Sequence, residues 1–242
     1  MREPRGAVPT GRSLRRLGIV TCAAMAVALG AIFFIAREAV PEMGGQLQRI
    51  FYIHVPAAWI AYLSFATTFI ASIAFLRTRS PRWDHLAHSA AEIGLVFTTV
   101  VLVTGPIWAR PVWGTWWQWD ARLTSSFVMW LTYVGYLLLR SLAADPHRVG
   151  RPAAVVGIIG FINVPIVHFS VQWWRTLHPS GPTPADLARD SGFGSGELVA
   201  FFASLIAFTL LFTWLLATRI RMERLRDRIE RAELGIAVGS GS

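Results

Sequence analysis

The residues best suited to binding chemistry lie in one short segment, W-G-T-W-W-Q-W-D, at positions 113–120. This segment places four tryptophans within seven residues: Trp113, Trp116, Trp117 and Trp119. Indole rings provide wide, stiff apolar surface and one N–H donor each, at little cost in conformational entropy. The segment therefore predicts a platform for a planar aromatic ligand, in preference to a loop that only anchors the chain at an interface.

Two histidines flank this platform in the sequence. His54 lies in F-Y-I-H-V-P and His178 lies in W-W-R-T-L-H-P. Imidazole is a good ligand for haem iron, and two opposed imidazoles would hold the ring from both faces. His168, ten residues before His178, is an alternative ligand that periodicity does not exclude, and we interpret it as a core histidine or as one that supports the ligands without binding the iron.

Charged residues near these histidines could recognise an anionic ligand edge. Arg49 lies five residues before His54, and Arg122 follows the tryptophan segment. Guanidinium groups pair with carboxylates, so both arginines are candidate contacts for haem propionates. Asp120 could fix the loop by accepting indole or backbone N–H bonds or by pairing with Arg122. We identify no catalytic residue, and Glu92 is given no catalytic role.

Helices that cross a membrane must position these residues. Of the 242 residues 54% are hydrophobic and 15% are charged, against about 25% charged in ordinary soluble domains. A helix of roughly 20 residues crosses a bilayer core, and six apolar stretches match that length: 17–36, 53–76, 87–108, 124–142, 152–171 and 198–218. The sequence predicts an all-α integral membrane protein built as a six-helix bundle, which excludes a soluble globular enzyme.

The distribution of the arginines predicts the orientation of the bundle. Seventeen arginines lie in segments 1–16, 77–86, 140–151 and 219–242, and six lie in segments 37–52, 109–123 and 172–197. By the positive-inside rule, both termini are cytoplasmic and the three arginine-poor segments are periplasmic. Because most arginines lie beside apolar runs, a nucleic-acid partner is not expected.

This orientation places the candidate site on the outer side. Seven of the eleven tryptophans lie in or beside the outer segments, together with His54 and His178. His85, His88 and His147 fall on the cytoplasmic side and cannot share the same site. We expect short outer helices or loops to carry the tryptophan motif.

The chain divides into three predicted parts. An arginine-rich leader at 1–16 precedes the membrane domain at 17–218, and a charged helical tail follows at 219–242. The domain includes a tryptophan-rich loop at 108–124 and an outer loop at 172–197. The single cysteine, Cys22, excludes an internal disulfide, and no C-x-x-C-H motif is present for covalent haem.

Two other classes of membrane protein are alternatives to a protein that binds haem at its outer face. A transporter of haem or another solute would line a continuous path with polar groups, yet the predicted spans offer few beyond Glu92 and Asn163. A b-type cytochrome or quinone-linked electron carrier would usually carry histidines within its spans so that electrons cross the bilayer. Here the candidate pair lies on one side.

At these residues the chain resembles a known family. W-G-T-W-W-Q-W-D is similar to the signature of the WWD haem-handling membrane proteins. The flanking segments F-Y-I-H-V-P-A-A-W, V-T-G-P-I-W-A-R-P-V-W-G-T-W-W and V-Q-W-W-R-T-L-H-P resemble one branch, the haem exporter protein C family of bacterial cytochrome c maturation (CcmC). The likeness runs from about Arg49 to His178, and the length of the chain also favours this branch.

The resemblance implies a function. Members hold haem b without a covalent bond at the periplasmic face of the inner membrane, between two axial histidines that match His54 and His178. The tryptophan-rich loop, with Asp120, supports the haem and docks a periplasmic haem chaperone. The family acts with subunits of an ABC-type transporter, and the chaperone delivers haem to c-type cytochromes. The family's W-W-x-T-L-H segment favours His178 over His168.

Overall fold

The structure is a computed structural model that describes residues 11–38, 45–143, 146–178 and 194–239. Part of the predicted leader, residues 1–10, and most of the predicted outer loop, residues 179–193, lie outside the described residues. Within the described ranges every regular element is helical. The helices are α1 (Gly11–Gly30), α2 (Phe51–Thr78), α3 (Pro81–Trp113), α4 (Ala121–Ser141), α5 (Pro146–Phe161), α6 (Asn163–Trp173) and α7 (Ser195–Gly239).

Shorter turns extend this framework. A π-helical turn, Ala31–Ile35, continues α1, and a 3-10 helix, Gly45–Ile50, leads directly into α2. Helix α3 begins with Pro81 at its first turn and ends at Gly114, whose φ of 75° is readily adopted by glycine. It therefore runs through Trp113, so the first part of the predicted 108–124 loop is helical.

Five helical segments of the described chain are long and apolar enough to cross a membrane: Gly11–Ile35, Gly45–Thr78, Pro81–Trp113, Val149–Trp173 and Ser195–Ile229. By the length and hydropathy of these segments, the chain is a multi-pass membrane protein. The remaining predicted span forms the 21-residue helix α4. Its Ser, Thr, Tyr and Trp side chains dilute its hydropathy, so α4 as a sixth span stays a prediction.

The centre of the bundle is a close contact between α2, α3 and α4. Gly94 on α3 lies so near α2 that a Cβ added there would come within 2.5 Å of Phe65. The Phe65 ring stacks on Tyr133 of α4 with a centroid distance of 3.7 Å. Both side chains are fully buried, so the absence of a side chain at Gly94 permits the helices to approach.

A break at Ile162 separates α5 from α6 within one apolar segment. Pro165 has no backbone N–H, which removes one helical hydrogen bond near the break. Ile162 N–H bonds instead to the carbonyl of Ile159 at 3.1 Å. Asn163 Nδ2 donates to the Ser125 carbonyl of α4 at 2.8 Å. The polar Asn163 therefore ties the broken helix to its neighbour.

The arginine-rich segments gather at one end of the bundle. Arg140 at the end of α4 pairs with Asp84 near the start of α3, with N–O distances of 2.7 and 2.8 Å. Helix α1 begins beside α7, since a Cβ at Gly11 would meet Arg221 at 3.3 Å. The grouping agrees with the charge pattern, whereas the side of the membrane that this end faces stays a prediction.

Candidate functional site

The structure brings His54 and His178 together, although 124 positions separate them in the sequence. His54 lies in the first turn of α2, and His178 lies beyond the end of α6. Their ring centroids are 6.4 Å apart and their planes differ by 31°. Two imidazole–metal bonds of about 2 Å place facing ring centroids about 6 Å apart. The separation therefore suits a single metal centre between the two rings.

Thr104 of α3 determines which nitrogen of His54 remains available. The Thr104 hydroxyl donates its proton to the Val100 carbonyl at 2.7 Å. The same oxygen lies 2.8 Å from His54 Nδ1. Because the hydroxyl proton is already used, His54 Nδ1–H is the donor in that contact. The lone pair is then on Nε2, and a fixed partner on the opposite nitrogen is typical of a metal-binding histidine.

Trp113 connects the tryptophan segment to the histidine pair. Its ring lies 6.3 Å from the His178 ring, in an edge-on arrangement. The Trp113 ring also packs edge-on with the Trp108 ring, at a centroid distance of 5.2 Å. Trp108 Nε1 in turn donates to Gln48 Oε1 at 2.9 Å. The end of α3, the 3-10 helix and the His178 segment therefore meet at one place.

The other tryptophans of the segment form a more open surface. Trp117 and Trp119 lie 6.3 and 6.2 Å from the Phe127 ring of α4. Trp116 and Trp119 are 58% and 72% exposed. The motif therefore divides into Trp113, which touches His178, and a surface that can receive a larger partner.

Asp120 accepts two backbone N–H bonds from different parts of the chain. Its Oδ1 caps α4 through Leu123 N–H at 2.8 Å, and its Oδ2 accepts from Leu177 N–H at 3.2 Å. Backbone N–H bonds were one of the alternatives that the sequence left open for Asp120. These bonds attach the segment that carries His178 to the start of α4.

The two candidate arginines differ in their surroundings. Arg122 lies within hydrogen-bonding reach of the Tyr62 hydroxyl and close enough to His54 to interact with it electrostatically. Arg49 lies over the Phe33 ring at 5.2 Å and donates to the Phe33 carbonyl at 3.5 Å. Arg122 therefore lies within electrostatic range of His54, whereas Arg49 is turned toward the π-helical turn that follows α1.

His168 has a different environment from the histidine pair. Its ring meets the edge of Tyr62 at 6.2 Å and packs on Phe169 at 4.9 Å. Its side chain is exposed at the surface of α6, so the interpretation of His168 as a core histidine is wrong. The histidine that lies beside His54 is therefore His178.

Comparison with known proteins places the chain in a family. The sequence model described as Heme exporter protein C matches residues 5–234. The chain belongs to the Heme exporter protein C family. It is 42% identical over 192 residues to Heme exporter protein C of Bradyrhizobium diazoefficiens, an alignment covering 78% of this chain and 72% of the relative.

Two further members of the Heme exporter protein C family show similar agreement. The protein of that name from Haemophilus influenzae is 36% identical over 204 residues, which cover 84% of this chain and 82% of the relative. The Escherichia coli K12 protein is 43% identical over 134 residues, which cover 55% of each chain. The resemblance inferred from the sequence motifs is confirmed at the level of the family.

In this member of the Heme exporter protein C family, three contributors to the site are missing from the sequence prediction. Thr104 and Gln48 hydrogen-bond to His54 and Trp108 from other elements, and Tyr62 of α2 lies within interacting range of Arg122. The V-T-G-P-I-W motif contains Thr104, but its partner is fifty residues away. Neither helical periodicity nor the motif identifies such a contact.

Proposed function

We propose that this protein handles haem during cytochrome c maturation and holds it between His54 and His178. Membership of the Heme exporter protein C family supports the haem-handling role. The observation that carries the ligand assignment is the 6.4 Å separation of the two rings. Haem b, bound without a covalent bond, is the cargo, and its iron supplies the ligation chemistry when it is present.

The residues of this chain position that cargo. Thr104 fixes His54 with Nε2 toward the cargo, and Trp113 packs its edge against His178. We assign a propionate contact to Arg122, whose guanidinium lies near His54. Arg49, which faces Phe33, is the second proposed propionate contact and requires its side chain to turn.

The open tryptophan surface is the proposed docking site for a periplasmic haem chaperone. Trp116 and Trp119 offer exposed, rigid apolar area beside the histidine pair, and aromatic residues dominate binding energy at many interfaces. A chaperone seated there would reach the edge of the bound haem. Subunits of an ABC-type transporter are the other proposed partners.

The proposed placement is a bacterial inner membrane, with six spans and the histidine pair at the periplasmic face. The arginine-rich segments, which lie at the opposite end of the bundle, would then be cytoplasmic together with both termini. A membrane electron carrier is less well supported, because His54 and His178 lie at one end and not at two depths.

A visible spectrum of the purified, haem-loaded protein tests the ligand assignment. The double variant His54→Ala and His178→Ala should lose the bis-imidazole Soret band, since both proposed nitrogen donors are removed. His168→Ala is the matched control, because His168 packs on Tyr62 outside the pair. An unchanged Soret band in the double variant, or its loss in the control, refutes the assignment.

A further inference from the structure

A large cavity lies at the arginine-rich end of the bundle, remote from the histidine pair. Its volume is about 1250 Å³. It is bounded by the end of α2, the first half of α3, the end of α4, the start of α5 and the part of α7 from Arg219 to Asp227. His88 in its wall and Thr104 at the other site are sixteen residues apart on α3, which is about 24 Å of helix.

The acidic groups of this cavity are already paired. Asp84 pairs with Arg140 at 2.7 Å, and Glu92 pairs with Arg219 at 2.6 Å. The other two carboxylates, on Glu223 and Asp227, contact Arg219 at 2.9 Å and His85 at 3.0 Å. The cavity therefore has no unpaired carboxylate in its described lining to attract a cation.

Two arginines of the lining differ from the paired ones. Arg79 follows the last turn of α2, and Arg151 lies in the first turns of α5. Both are exposed, and among the carboxylates whose side chains the structure describes, none forms an ion pair with either of them. The cavity therefore presents positive charge at its rim.

The wall of the same cavity includes an apolar strip. Leu95 of α3 and Val134, Leu137 and Leu138 of α4 form this part of the lining. Leu138 is 50% exposed, so the strip continues to the outer surface of the bundle. A basic rim beside an apolar wall between helices is the kind of site that binds the headgroup and body of an acidic amphiphile.

We propose that this cavity binds an anionic amphiphile, with its acid group on Arg79 and Arg151 and its apolar body along Leu95, Val134, Leu137 and Leu138. Two kinds of molecule combine an acid group with an apolar body in this way. One is an anionic phospholipid of the surrounding membrane. The other is a porphyrin carrying carboxylates, which rests on the proposed haem-handling function and would make the cavity a second binding place for the cargo.

The test uses the full chain in nanodiscs and two probes. Lipid binding is measured by native mass spectrometry with phosphatidylglycerol against phosphatidylcholine. Porphyrin binding is measured by fluorescence of iron-free protoporphyrin, which has no metal for His54 and His178 to ligate. The variant is Arg79→Gln with Arg151→Gln, and the matched control is Arg77→Gln with Arg82→Gln, which removes equal charge near the same end but outside the lining.

The expected result is an affinity lower by about tenfold in the Arg79/Arg151 variant for one probe, with the control unchanged. A selective loss of phosphatidylglycerol identifies a lipid, and a selective loss of protoporphyrin identifies the cargo. Equal affinity of the variant and the control for both probes overturns the proposal. The single variants repeat the test if the double variant does not fold.

The Soret band of haem-loaded protein separates this proposal from the proposed function. The Arg79/Arg151 variant should keep the band, because both arginines lie at the far end of α2 and α5 from His54 and His178. If only the His54/His178 variant loses the band, the proposed function is supported. The cavity proposal is then decided separately by the binding of phosphatidylglycerol and of protoporphyrin.

Discussion

The carboxylate of Asp120 accepts a hydrogen bond from the backbone N–H of Leu177 at 3.2 Å, one residue before His178. The other oxygen of the same carboxylate caps α4 through Leu123. One side chain therefore fixes both the start of a helix and the segment that carries a proposed ligand. The last residue of the W-G-T-W-W-Q-W-D motif acts on the site through backbone groups.

Replacing Asp120 with Ser should separate these two roles. A serine at this position still caps α4, but its shorter side chain no longer reaches Leu177. We expect haem affinity to fall about fivefold, since a long, exposed hydrogen bond of this kind contributes about 1 kcal/mol. Titration of the purified variant with haem measures this loss, and Asp120→Ala should add a loss of thermal stability. Wild-type affinity in Asp120→Ser contradicts a positioning role.

Replacing Thr104 with Val should weaken the ligation by His54. The isosteric side chain removes the acceptor for His54 Nδ1–H, and loss of such a partner typically lowers metal affinity by 10- to 100-fold. Haem titration and the position of the Soret band measure the effect. Thr104→Ser keeps the hydroxyl and should retain wild-type behaviour; equal affinities of the two variants would show that the contact does not matter.

Arg122→Gln should weaken haem binding more than Arg49→Gln. Arg122 lies near His54, whereas Arg49 is held on the Phe33 ring and carbonyl. We expect a loss of about fivefold at Arg122, which corresponds to about 1 kcal/mol. Haem dimethyl ester is the control ligand, because its esterified propionates carry no charge. If Arg122→Gln weakens binding of the ester as much as that of haem, Arg122 does not contact propionates.

Asp84→Asn should destabilise the protein strongly. Asp84 and Arg140 are 17% and 11% exposed, and removing one partner leaves a largely buried charge without compensation, at a cost of about 3 kcal/mol. Thermal unfolding in detergent, compared with the wild type, measures the change. Glu233→Gln on the exposed part of α7 is the control and should change stability little. Equal unfolding temperatures for the two variants would contradict this prediction.

Gly94→Ala should disrupt the central helix contact. Its added methyl group would overlap Phe65, and overpacking of this kind costs about 2 kcal/mol. Gly135→Ala on α4 is the matched control, because its Cβ would meet no atom within 4 Å. The control should leave stability unchanged or raise it slightly. Unfolding curves that rank the two variants in reverse order contradict this account of the packing.

Hydropathy alone predicted the helices well, because each helix satisfies its own backbone polar groups and needs no distant partner. The six predicted apolar stretches are helical over their described residues except at Ala36, Leu142 and Ile162, which lie at helix ends or between helices. The exact ends differ, as at Trp113, where the helix continues until Gly114 permits it to stop. The sequence also did not predict the break at Ile162, since the hydrogen bond from Asn163 to Ser125 depends on a neighbouring helix.

The candidate site was predicted only in part. The motif identified Trp113, His54 and His178 as residues of one site, and the structure places them together. The motif did not identify Thr104 or the acceptor role of Asp120 toward Leu177, because these contacts join residues that are fifty or more positions apart. Such contacts follow from how the helices pack.

The sequence by itself determined the helical class, the segregation of arginines and tryptophans, and the family, since each is written in local composition or in a contiguous motif. Only the tertiary structure decided how His54 and His178 lie relative to each other, with ring centroids 6.4 Å apart, and that the charged ends of several helices enclose a cavity. The physical reason is that helix periodicity fixes the face of a side chain, whereas its partner depends on the packing and rotation of other helices.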